Sequence, residues 1–177
     1  MAKFKVPGGW GSLKEDITLT KARVDEKARY LLTQMSLKEK IQQMSGSTPL
    51  VRGLWDAWLA YNMRPLPAGE NKRLSIPPLC FSDGPRGVVM NHSTCFPVSM
   101  ARGASWDTAL EERIGDAMGV EARSQGANIM GSVCINLLRH PAWGRAQETY
   151  GEDPCHLGEM GAALVRGLQH HIMACVK

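Results

Sequence analysis

Residues 129–177 read IMGSVCINLLRHPAWGRAQETYGEDPCHLGEMGAALVRGLQHHIMACVK, and the alternation of apolar and polar runs in them decides the fold. Residues 129–138 form an apolar run with β-branched side chains at Ile129, Val133 and Ile135, the pattern of a buried strand. After a polar loop, Asp153-Pro154 marks a helix start, because proline at the first helical position gives up no hydrogen bond that the helix needs. Leu157, Met160, Leu164 and Leu168 then recur at steps of three, four and four, an apolar stripe along one helix face. Residues 172–176 are a further apolar run. Strand, helix, strand is a βαβ unit, whose two strands lie parallel.

The same grammar extends upstream. Residues 76–82 (IPPLCFS) are a short apolar run stopped by Asp83-Gly84-Pro85, a candidate buried strand. Residues 108–125 read as a helix with Thr108 and Glu111 as a capping box, Leu110, Ile114, Ala117 and Met118 as its inner stripe, and Gly126 as its stop. Further back, residues 46–73 hold Trp55, Trp58, Tyr61 and several prolines, suggesting a structured loop or a small helix. Ser36 and Glu39 form a capping box for a short helix with Leu37, Ile41 and Met44 on its inner face. Val24, Ala28, Leu32 and Met35 mark a helix before that, and residues 1–23 read as an irregular leader.

The expected fold is therefore α/β: about three parallel strands side by side, joined by right-handed crossover helices, behind an N-terminal helical lead-in. A closed barrel of this kind needs eight strands and about 250 residues. The 177 residues supply only the opening of one, and leave a strand edge in need of a partner.

Composition narrows the function. Hydrophobic residues make up 44% and charged residues 21%, as in ordinary globular proteins, and the net charge of +4 is scattered. Without a basic block or an aromatic-basic stripe, nucleic acid is not an expected partner. The start, MAKFKVPGGWG, has no apolar core, so neither a secretory signal nor a membrane partner is expected. Five cysteines, of which Cys80, Cys134 and Cys175 sit in apolar runs, form no CxxC pair and no Cys/His ligand spacing. They fit small buried hydrophobes in a reducing, cytoplasmic setting, and no metal or other cofactor is expected.

Candidate chemistry lies at the carboxyl ends of the three strands. Asp83 follows the first, Arg139, His140 and Arg145 follow the second, and Lys177 follows the third. Parallel α/β folds bind ligands at those ends, where the loops converge. A carboxylate that accepts hydroxyl hydrogens, beside guanidinium and ammonium donors, suits a polyhydroxylated ligand. Plainer readings remain open: Asp83 as a turn former, Arg145 paired with Glu148 or Glu152, Arg139 as a buried ion-pair partner, Lys177 as a charged chain end.

The local motifs are more specific. NLLRHPAWGRAQETYGEDP (136–154), SIPPLCFSDGPRGV (75–88), Cys95-Phe96-Pro97 with ARGASWD (101–107), MSLKEKIQQMSG (35–46) and the final ACVK resemble, in order, motifs of glycoside hydrolase family 3. The resemblance spans roughly residues 24–177. It implies the N-terminal portion of an incomplete TIM-type (β/α)8 barrel and a retaining, exo-acting, β-glucosidase-like hydrolysis of O-glycosidic bonds. It further implies that Asp83, Arg145 and Lys177 hold the sugar in subsite −1, while Arg139, Glu148, Glu152 and Asp153 stabilise the loop and barrel rim. Asp83, where related enzymes on xylose often carry Glu, favours a glucose-type carbohydrate.

Two departures from the family pattern stand out. A second arginine six residues after the aspartate is replaced by Val89, leaving Arg86 as the nearby candidate. The family's aspartate nucleophile and glutamate acid/base correspond to no residue of this stretch, so no catalytic residue is assigned. The chain is expected to be inactive alone and to need the rest of the barrel or a partner chain. Two alternatives stand beside this one: a non-catalytic sugar-binding remnant, or half of a different α/β enzyme. The absence of a Gly-rich phosphate loop counts against the latter.

Overall fold

The computed structural model describes residues 21–59 and 62–177. Of the leader expected over residues 1–23, residues 1–20 lie outside them, while Lys21–Arg23 begin a helix. The chain divides into two compact units, one built from residues up to Leu50 with Pro67–Leu79, the other from Val51–Leu66 with Cys80–Lys177.

The first unit holds helix α1 (Lys21–Gln34) and helix α2 (Leu37–Gln43). The capping box at the start of α2 forms as read: Ser36 Oγ accepts from the Glu39 amide, and the Glu39 carboxylate accepts from the Ser36 amide. Glu39 also takes the Arg73 guanidinium, Nε to Oε1 at 2.7 Å, which holds its carboxyl well below the usual range. The inner face expected of α2 is not an inner face. Leu37 and Met44 are 75% and 82% exposed, because the described contacts fix this helix through its polar side. The short strand β1 (Leu66–Ala68) meets the chain after α2 through an antiparallel bridge of Gly46 with Ala68.

The second unit carries helix α3 (Leu50–Leu59, whose first residue belongs to the other unit) and the parallel sheet. Strands β2 (Leu79–Asp83), β3 (Ile129–Val133) and β4 (Met173–Val176) lie side by side, all parallel, Phe81 opposite Ile129 and Ile129 opposite Met173. This is the expected α/β architecture of a partial barrel. Strand β2 begins three residues later than the apolar run, since Pro77 and Pro78 have no N–H to give to a ladder. Asp83 is consequently the last residue of the strand. A register shift between Met130 and Val133 lets both join the apolar core, against the strict alternation of a regular strand.

Two long helices cover the sheet. Helix α4 (Ser99–Gly103) is a single turn, α5 spans Thr108–Ser124 and α6 spans Pro154–Gln169. Helix α6 follows its sequence closely: Asp153 caps it by accepting from the His156 amide at 2.7 Å, and Leu157, Met160, Leu164 and Leu168 are all buried. Helix α5 departs from expectation at its start. The cap is Asp107, whose Oδ1 accepts from the Leu110 amide at 2.8 Å. Glu111, read as half of a capping box, is instead buried and turned inward. Ile114 and Met118 lie in the core as expected, whereas Leu110 and Ala117 are half-buried. At Gly167 a Cβ would stand 2.1 Å from the Glu112 carbonyl oxygen, so the α5 and α6 backbones approach where no side chain fits.

Candidate sugar-binding site

The carboxyl ends of the three strands bring one carboxylate and one ammonium into contact. Lys177 Nζ lies 2.9 Å from Asp83 Oδ1, and the pair is separated by 94 residues of chain. Backbone geometry sets both partners. The Lys177 amide donates to the Val133 carbonyl and its own carbonyl accepts from Ile135, each at 2.9 Å, so β4 and the end of β3 fix its position. Asp83 pairs in register with Gly131, where an added Cβ would meet the Phe81 ring at 2.9 Å and Asp83 Oδ1 at 3.4 Å. Glycine at 131 keeps the space beside the carboxylate clear. Asp83 Oδ1 also accepts from the Gly84 amide at 2.9 Å, and its side chain remains about half exposed, 52%.

Arg145 stands in the loop after β3, just before the 3-10 turn Ala146–Glu148. Its Nε donates to Glu148 Oε1 at 2.9 Å and its Nη2 donates to Oε2, a bidentate clamp. The expected surface pairing with Glu148 is thus real. Asp83 is the weakest of the influences that raise Arg145, and Lys177 the weakest of those that lower Glu148, so the two pairs act on each other only through a weak charge effect. The hydrogen bond from Arg145 holds the Glu148 carboxyl below its ordinary value, and Glu148 in turn raises Arg145. Cys134, buried at the foot of this group, lies 3.7 Å from Glu148 Oε2; burial pushes its thiol up, and Lys177 pulls it back.

Arg86 is not drawn into this group by its described contacts. It is exposed, its Nη2 contacts Cys95 Sγ at 3.5 Å, and its backbone carbonyl accepts from Phe96. Arg139, considered above as a possible buried ion-pair partner, is exposed instead, and His140 is exposed with its Nδ1 accepting from the Ala142 amide.

Sequence reading missed a buried polar group that is tied to the loop after Asp83. Glu111 of α5, Arg102 of α4 and Tyr150 of the loop before α6 form a buried network. Arg102 Nε lies 3.0 Å from Glu111 Oε2, a charge contact out of hydrogen-bond alignment, and Tyr150 Oη donates to Glu111 Oε1 at 2.6 Å. Arg102 Nη1 donates to the Pro85 carbonyl at 2.9 Å, which ties the loop after Asp83 to the same network. Burial pushes the Glu111 carboxyl up, while Arg102 and Tyr150 pull it down. The signal was available only in part: Arg102 stands among small apolar neighbours, but Glu111 is followed by Glu112 and Arg113, and their pairing across nine residues and a helix start carries no recognisable period.

Comparison with known proteins shows the family and the fold. Residues 61–177 match the model of the glycosyl hydrolase family 3 N-terminal domain. A probable β-glucosidase F of Emericella nidulans is 34% identical over 173 residues, covering 96% of this chain and 18% of the relative. A β-glucosidase of Rhizobium radiobacter is 33% identical over 146 residues, 78% of this chain and 16% of the relative. Among solved structures, β-glucosidase 3B of Thermotoga neapolitana in complex with α-D-glucose superposes with a TM-score of 0.74 at 28% identity, covering 85% of this chain and 22% of that one. The chain thus spans less than a quarter of the length of these relatives.

Proposed function

The chain belongs to glycosyl hydrolase family 3, through its N-terminal domain, and from that premise we propose that it forms part of the glucose-binding subsite of a retaining, exo-acting β-glucosidase. The observation that carries this reading is the Asp83–Lys177 contact at the strand ends, with the Arg145–Glu148 clamp in the same field. Asp83 accepts hydrogens from two sugar hydroxyls, and Lys177 and Arg145 donate to sugar oxygens. A pyranose enters by exchanging the Asp83–Lys177 contact for its own hydroxyls. Arg86 joins as a peripheral donor once its contact with Cys95 is released. That the Thermotoga neapolitana relative is described with bound glucose supports glucose over other sugars.

Retention of configuration needs two carboxyl groups about 5–5.5 Å apart, one as nucleophile and one as acid/base. Asp83 is committed to Lys177 and to hydroxyls, and Glu148 to Arg145, so both reacting carboxyl groups belong to the remainder of the barrel or to a partner chain. The 177 residues alone therefore bind but do not hydrolyse. Release of nitrophenol from an aryl β-glucoside by the purified chain tests this: no activity above background is expected, and activity lost on Asp83→Ala would overturn it. No helix among the described residues is long and apolar enough to cross a membrane.

A further inference from the structure

We propose that Asp116, His170 and His171 form a binding site for a divalent transition-metal ion of the zinc class, joining the end of α6 to the middle of α5. Asp116 Oδ1 lies 3.0 Å from His170 Nδ1 and 2.9 Å from His171 Nε2, and the three ligand atoms all fall within 4.8 Å of one another. Two imidazoles and one carboxylate are the donor set of three-ligand zinc sites, which leave a fourth position to water. Magnesium and calcium prefer oxygen alone, so imidazole nitrogen selects zinc, nickel or copper.

Three features hold the donors in place. First, the helices touch here without intervening side chains: a Cβ on Gly167 would stand 2.6 Å from the Asp116 amide nitrogen, and one on Gly119 would stand 3.1 Å from His171 Cδ2. Second, His170 is the C-cap of α6 and His171 follows it, where the exposed carbonyl ends of the helix favour a cation. Third, Arg123 Nη1 donates to the His171 carbonyl at 2.9 Å, fixing that residue's backbone. One turn before Asp116, Glu112 is already neutralised by Arg166 at 2.8 Å, which leaves Asp116 as the carboxylate facing the two imidazoles.

A tetrahedral shell with bonds of about 2.1 Å places its ligands roughly 3.4 Å apart. The carboxylate–imidazole distances must therefore open by a few tenths of an ångström while the two nitrogens draw together. Partly exposed side chains, 48% for Asp116 and 57% for His170, permit this rotation. To bind the ion, each imidazole turns the lone pair of the nitrogen that now faces Asp116 toward the metal, with its hydrogen on the other ring nitrogen. The site lies before β4, at the end of the sheet away from Asp83 and Lys177. Its effect is to clamp two helices, and no role in the sugar chemistry follows. It runs against the expectation from cysteine spacing, because its ligands lie 54 and 55 residues apart and have no sequence period.

The test is calorimetric titration of the full chain with zinc alone, and with cobalt followed by absorption. The expected result is one equivalent bound by the wild type and a raised Tm. Affinity should fall at least about tenfold in Asp116→Asn and in His171→Gln, and stay unchanged in His156→Gln. Circular dichroism checks that the variants are folded; their surface positions make this the expected outcome. Cobalt should give no sulfur-to-metal charge transfer. Absence of binding to the wild type, equal binding by the variants, or charge transfer showing a cysteine ligand would each overturn the site.

Discussion

Two groups of opposite charges stand within the second unit, and they differ in burial. Arg102 and Glu111 are 2% and 0% exposed and hold Tyr150 between them, whereas Asp83 with Lys177 and Arg145 with Glu148 keep a large share of their side chains in water. A buried pair is expensive to break, because removing one partner strands a charge in a low dielectric. An exposed pair is worth little, since water replaces it at almost no penalty. The buried group therefore serves structure, and the exposed group is free to exchange its partners for a ligand. Burial is thus the difference on which the proposed division into scaffold and sugar-binding site rests.

The largest break in that contrast comes from Glu111→Ala, which leaves Arg102 without its counter-charge and the Tyr150 hydroxyl without its acceptor. A loss of about 3–5 kcal/mol in chemical denaturation is expected. A loss below 1 kcal/mol would show that the network is not what holds α4, α5 and the Tyr150 loop together. Next comes Gly103→Ala, on the same network: its Cβ would stand 2.6 Å from the Tyr150 carbonyl oxygen. Displacing that backbone should cost about 1–3 kcal/mol, read as a lowered denaturation midpoint with an unchanged m-value. By contrast, Lys177→Met should change stability by no more than about 1 kcal/mol; a larger loss would move the Asp83–Lys177 pair to the structural side of the comparison.

The smallest effect sharpens the exposed side. The hydrogen bond from Arg145 holds the Glu148 carboxyl below the ordinary glutamate value of 4.5. A depressed carboxylate contributes stability above its unfolded pKa and loses it as pH falls through the folded one. The clamp should therefore persist at pH 5 and weaken only below about 4.5. Discounted for exposure, its contribution is a few tenths of a kcal/mol. Carbon NMR of the Glu148 carboxyl across this range checks it: a midpoint above 4.5 would contradict the clamp.

How much of this could be read beforehand varies by element and has a physical cause. The α6 stripe and its Asp153 cap were legible because a helix packed on a sheet must repeat its apolar residues with the helical period. The parallel strand order followed from the βαβ grammar. In α2 the same kind of stripe misled, for periodicity shows that a helix has an apolar face and cannot show that something covers it. At Glu111 the local capping rule lost to a tertiary partner, since Asp107 one residue before Thr108 already satisfied the helix start. Of the candidate site, Asp83 and Lys177 could be placed together from strand ends alone. Arg86 could not, because its direction is set by the turn around Gly87, φ +123, and by Cys95.

The most direct measurement is a glucose titration of the chain followed by backbone and side-chain NMR, run in parallel on Asp83→Asn. The expected result is saturable shifts at Asp83, Lys177 and Arg145 in the wild type, their loss in the variant, and unchanged unfolding free energy to within about 1 kcal/mol. Shifts that persist without the carboxylate, or a variant that unfolds, would contradict the reading of these strand ends as a sugar-binding site.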